Sequence, residues 1–206
     1  MLGWILAVMA HEFGHAFVAW LAGDHTVRDK GYLAFDPRRY GDLGTSLVIP
    51  LIALALGGIG FPGGAVYLRH DLMRGPAWRA AASLAGPAAT LVMLIVLSLV
   101  ARASWPEPLG NALALLAFLQ ATALLLNLLP IPGLDGFNAI RPFLPKRWDP
   151  AIHKAEGLAM IALLAALLLL PGVGGLFFGL AADLAAAAGV DRIAVVRGFD
   201  AFQFWR

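Results

Sequence analysis

Five stretches of the sequence, 1–23, 43–59, 80–100, 111–126 and 156–178, are nearly continuous apolar runs. Each is close to the roughly 17–25 residues a helix needs to cross a hydrocarbon core about 30 Å thick. Sixty per cent of the residues are hydrophobic and 14% charged, against about 45–50% and about 25% in ordinary soluble domains. Lipid offers no partner to a bare N–H or C=O, so such runs must close their hydrogen bonds within the segment. The expectation is an all-α integral membrane protein, a bundle of about five transmembrane helices. At 206 residues it has room for one transmembrane domain over 1–206, with no separate soluble unit.

The runs are interrupted where glycine and proline gather. Pro50 marks a kink in the second. Gly57-Gly58-Ile59-Gly60-Phe61-Pro62-Gly63-Gly64 cannot sustain a helix, and Ala65-Val66-Tyr67-Leu68 has strand-like composition. A re-entrant or short β segment near 60–68 follows. Ala85, Gly86, Ala88 and Ala89, beside Pro87, are small enough to let another backbone come close. Pro130, Pro132, Gly133 and Gly136 break the fourth helix near 127–136. Irregular backbone at membrane depth is tolerated where protein or a water-filled cavity receives it, so that break points to a site. Pro171-Gly172 interrupts the fifth run. Phe199, Phe202, Phe204, Trp205 and Arg206 close the chain with the composition of an interfacial anchor.

A net charge of +2 without a basic run gives nucleic acid nothing to bind. The cationic residues suit the membrane edge, though their spread over the loops does not choose an orientation. Cysteine is absent, which excludes disulfides, a thiol nucleophile and Cys-ligated zinc. The first run has no basic leader, and cleavage near Ala22-Gly23 would discard its polar residues. We therefore read it as a retained span.

Those polar residues are His11-Glu12-Phe13-Gly14-His15. On a helix, histidines four apart share one face and can offer ring nitrogens to a single Zn²⁺, while Glu12 can act as base toward a zinc-activated water. A carboxylate at membrane depth costs several kcal/mol unless something offsets it. Catalytic zinc takes three protein ligands and keeps one open position. Asp135 is the leading third ligand, because it lies in the apolar, helix-broken stretch while most other aspartates sit in polar loops. Asp183 competes with it, and His25, His70 and His153 are further candidates.

The residues resemble the site-2 protease family of intramembrane zinc metalloproteases. His11-Glu12-Phe13-Gly14-His15 matches its H-E-x-G-H motif, and Asn127-Leu128-Leu129-Pro130-Ile131-Pro132-Gly133-Leu134-Asp135-Gly136 matches N-x-x-P-x-P-x-L-D-G. Asp36-Pro37, Gly44-Thr45 and Ala85-Gly86-Pro87 extend the likeness over most of 8–140. The resemblance implies one zinc per chain held by His11, His15 and Asp135, Glu12 as general base and then acid, and Asn127 beside the scissile carbonyl. It implies a catalytic core over about 1–144, with a C-terminal span and interfacial tail over 155–206. The expected substrate is a transmembrane protein segment, locally unwound, cleaved in a multi-pass protein of a prokaryotic cell membrane. Thr90 departs from the Asn common in the family after Gly-Pro. The alternative class is a non-catalytic metal-binding or ion-transport protein of the membrane, in which Glu12 and Asp135 would bind an ion.

Overall fold

The computed structural model describes residues 2–36, 39 and 66–203. Among them the regular structure is helical: α1 (Leu2–Ala22), a short α2 (Thr26–Asp29), α3 (Pro76–Ala101), α4 (Glu107–Leu128), a short α5 (Asp135–Ile140), α6 (Asp149–Leu169), α7 (Val173–Ala187) and α8 (Arg192–Phe202). Two single 3-10 turns, Arg141–Phe143 and Lys146–Trp148, join α5 to α6. The predicted second span and the first part of the 60–68 segment lie outside the described residues.

The helix ends follow local chemistry. Gly23, with φ 116°, closes α1, and Asp24 N–H reaches back to Ala19 C=O at 3.0 Å, the glycine-dependent way of satisfying a final carbonyl. Pro76 starts α3 at a position where the missing N–H costs nothing. Asp191 caps α8 by accepting from Ile193 N–H at 2.9 Å. At the other break, α4 ends at Leu128 because Leu129 must turn extended before Pro130.

Four helical segments, Leu2–Ala22, Pro76–Ala101, Glu107–Leu128 and Lys146–Leu169, are long and apolar enough to cross a membrane. Leu91, Val92, Ile95 and Leu99 on α3 and Leu158, Ile161, Leu168 and Leu169 on α6 are exposed, a surface that suits lipid rather than water. This is a membrane protein. The run 156–178, expected to be interrupted at Pro171-Gly172, is divided there between two helices. α6 ends at Leu169, two residues before Pro171, and α7 restarts after Gly172 at φ 81°, because proline and a left-handed residue together cannot continue a helix.

Packing centres on α1, α3 and α4. Trp4, Ala7, His11, His15, Ala19 and Ala22 recur at helical spacing on the buried side of α1. Gly14 lets that face meet α3: a β-carbon there would stand 2.6 Å from Ala85 O. Gly198 does the same for α8 against Asn111 of α4. Phe199 and Phe202 pack onto the cluster of Trp4, Leu115 and Leu119, so these two aromatics of the predicted anchor face the bundle. Residues 204–206 lie outside the described residues.

Val66, Tyr67 and Leu68 are described, and they form no strand. Their main-chain partners are side chains from the α1 end of the molecule: Lys30 Nζ donates to Tyr67 O at 2.6 Å, and Arg69 N–H donates to Asp24 Oδ2 at 2.7 Å. Val66 and Leu68 are partly buried against the apolar cluster that includes Met9 and Ala16 of α1.

Candidate metal centre

α1 carries His11 and His15 one turn apart, and α5 begins with Asp135 facing them. His11 Nε2 lies 3.0 Å from His15 Nε2, 3.2 Å from Asp135 Oδ2, and His15 Nε2 lies 3.4 Å from Asp135 Oδ1. Asp135 reaches this point because Gly136 allows the first turn of α5 to press on the end of α4. A β-carbon at 136 would stand 2.7 Å from Leu129 O. Among the described residues this is the one group of three or more possible ligands within mutual reach.

The other nitrogen of each imidazole fixes which nitrogen is free. His15 Nδ1 stands 2.8 Å from Ala82 O, a carbonyl that can only accept, so Nδ1 carries the hydrogen and a neutral ring leaves Nε2 with its lone pair. His11 Nδ1 stands 2.9 Å from Thr90 Oγ1, whose own hydroxyl is directed to Gly86 O at 3.2 Å. Thr90 therefore accepts from His11, and His11 Nε2 is free as well. Two nitrogen lone pairs and a carboxylate so close repel unless a cation sits among them. Asp135 Oδ2, moreover, is buried without a hydrogen bond.

These donors fit zinc. Ligands about 2.0–2.1 Å from a tetrahedral ion lie about 3.3 Å from one another, and the observed separations span 3.0 to 3.4 Å. Gly86 supplies the space. A β-carbon there would overlap His15 Nε2 and come within 2.7 Å of His11 Nε2. The small residues of α3 thus serve the helix crossing and the centre together.

A cleft of about 270 Å³ opens beside the three donors, lined also by Glu12, Asn127, His70, Ser83, Asn138, Val66, Leu68 and Met160. Asn127 is buried and makes no hydrogen bond to another described residue, so its amide is not spent capping the broken helix. Glu12 is likewise buried and unbonded.

The remaining candidates lie elsewhere. Asp183 pairs with Arg192 at 2.5 Å on the surface. His153 joins Arg141 and Glu156, and His25 packs edge-on to Trp20. His70 borders the cleft without joining the donor group. Sequence reasoning missed the second partners of the histidines, Thr90 and Ala82. For Thr90 a signal existed: it follows Gly86 by four residues, on the same face of α3.

No protein-family model matches the chain, and no solved structure does. Curated relatives do. A Mycobacterium tuberculosis protein named "Putative zinc metalloprotease Rip2" is 44% identical over 98% of this chain and 79% of its own length. Its Mycolicibacterium smegmatis counterpart of the same name is 42% identical over the same shares. "Putative zinc metalloprotease YwhC" of Bacillus subtilis is 27% identical over 78% of this chain and 75% of its own. With the family's two motifs present and near-complete coverage at this identity, the chain belongs to the site-2 protease family, as a zinc-dependent metalloendopeptidase of the membrane.

Proposed function

We propose that this protein hydrolyses peptide bonds of transmembrane protein substrates within the bilayer, as a multi-pass protein of a prokaryotic cell membrane whose single domain spans 1–206. The observation that carries the reading is the convergence of His11, His15 and Asp135 on one point, with Glu12 and Asn127 on the wall of the same cleft. His11 lies nine residues into α1, about 14 Å along its axis and so near half the depth of a roughly 30 Å core.

In this reading His11, His15 and Asp135 hold one Zn²⁺. When bound, zinc supplies Lewis acidity, polarising the scissile carbonyl and making water acidic enough to be activated near neutral pH. Glu12 takes the proton from the attacking water and later hands it to the leaving amine. Its carboxylate supports that role, since among the described residues no group hydrogen-bonds to it. Asn127, without a hydrogen bond among the described residues, donates from its amide to the substrate carbonyl as negative charge gathers there.

A substrate helix hides its carbonyls in its own hydrogen bonds, so only a locally unwound segment can enter the cleft. Glycine or proline near the cut should ease entry. The test is cleavage of a single-span substrate by purified protein in lipid vesicles, comparing wild type with Glu12→Gln. The variant should keep its zinc and lose about 10²–10⁴-fold in turnover. Equal turnover in the two would overturn the assignment.

A further inference from the structure

Glu12 also borders a second and much smaller cavity, of about 20 Å³. Trp4, Gln120, Thr90, His11 and Asn127 line it with Glu12. Two of these lining residues, Trp4 and Gln120, are 3% and 2% exposed, and among the described residues their Nε1 and Nε2 donors have no hydrogen-bond partner. Glu12, 4% exposed, borders both cavities and also lacks a hydrogen bond. Residues that carry two unpaired donors and one unpaired carboxylate thus line a space with room for about one water.

We propose that this cavity is a resident water site. The water accepts from the Trp4 indole N–H and the Gln120 amide, and donates to the Glu12 carboxylate. The inventory closes: water has two lone pairs for two donors, and its hydrogens suit a group that when ionised only accepts. Size decides the occupant. About one probe volume admits water and excludes a peptide side chain or a lipid tail. Burying the two donors dry costs folding free energy, which a bridging water restores. Thr90 has no hydrogen to give the water, because its hydroxyl donates to Gly86 O while it accepts from His11.

The water would hold Glu12 from the smaller cavity, leaving its remaining lone pairs to the reacting water. Trp4 and Gln120 are then positioning residues acting through it. The water site rests on the cavity alone, whereas its effect on turnover rests on Glu12 being the base proposed above. The experiment takes a high-resolution structure of the zinc-loaded wild-type protein, with melting temperature, zinc content, kcat and KM for Trp4→Phe and Gln120→Leu. The expected results are an ordered water within hydrogen-bond distance of Trp4 Nε1 and Gln120, lower melting temperatures, unchanged zinc, and kcat down about tenfold at constant KM. A dry cavity overturns the proposal, as does Gln120→Leu melting at or above wild type, the outcome when a merely orphaned amide is removed. Full kcat in both variants with the water present overturns the positioning of Glu12. Because occupancy and melting are read without substrate, a wild type that cleaved nothing would count against the protease reading and leave the water site to be judged separately.

Discussion

Thr90 Oγ1 stands 2.9 Å from His11 Nδ1 and 3.2 Å from Gly86 O, so one hydroxyl ties the first histidine of the centre to the backbone of the helix it faces. Removing such a partner typically costs about 10–100-fold in metal affinity or activity, because the ring is freed to rotate and to change tautomer. Thr90→Val, nearly the same shape, should weaken zinc by that factor while Thr90→Ser keeps most of it. Competition with a chelator of known affinity measures both.

Gly86→Ala is a sharper version of the same dependence. The added methyl would overlap His15 Nε2 and crowd His11 Nε2. The histidines must swing aside, because the backbone of α3 is held against α1 at Gly14 and Ala85. The expected outcome is a folded, helical protein without stoichiometric zinc, checked by circular dichroism and metal analysis on one sample.

Gly136→Ala should act at a distance from the nitrogens. A β-carbon there meets the end of α4, at 2.5 Å from Leu128 C and 2.7 Å from Leu129 O. Forcing it in costs about 1–3 kcal/mol by the usual scale of overpacking. It also displaces Asp135, which is one residue away. Thermal unfolding should fall, and zinc affinity with it.

Chelation should lower the melting temperature of the wild type. Removing zinc leaves two imidazole lone pairs and a carboxylate within 3.4 Å of each other, and anything bound to the native state alone stabilises it, by about 2.7 kcal/mol at a hundredfold excess over Kd. Readdition of zinc should restore the transition.

The residues that were legible in the sequence are those whose geometry is local. His11 and His15 sit four apart on one helix, so their shared face follows from periodicity. Asp135 stood out because Pro130, Pro132 and Gly133 break a helix at membrane depth, where broken backbone needs a purpose. The partners on α3 were hidden for the opposite reason. Thr90 and Ala82 are 79 and 67 positions from the histidines they meet, and only the α1–α3 crossing brings them together. The cluster 85–89 was expected to serve packing, which it does through Gly14 and Ala85, but the closeness of Gly86 to both rings depends on that same crossing. The fifth apolar run carries its interruption in the sequence. Its hydrophobicity continues through Pro171-Gly172, while its backbone cannot. Val66 to Leu68 has strand-like residues, yet Lys30 and Asp24 take up main-chain groups of Tyr67 and Arg69 that pairing would use.

The claim on which the rest depends is that Asp135, from a helix 120 positions beyond His15, completes the zinc site. Zinc content per chain and affinity, measured by metal analysis and chelator competition for wild type, Glu12→Gln and Asp135→Ala, test it most directly. The account predicts one tightly held zinc in wild type and in Glu12→Gln, and its loss from Asp135→Ala in protein that remains folded. An Asp135→Ala protein that kept one zinc at wild-type affinity would contradict it.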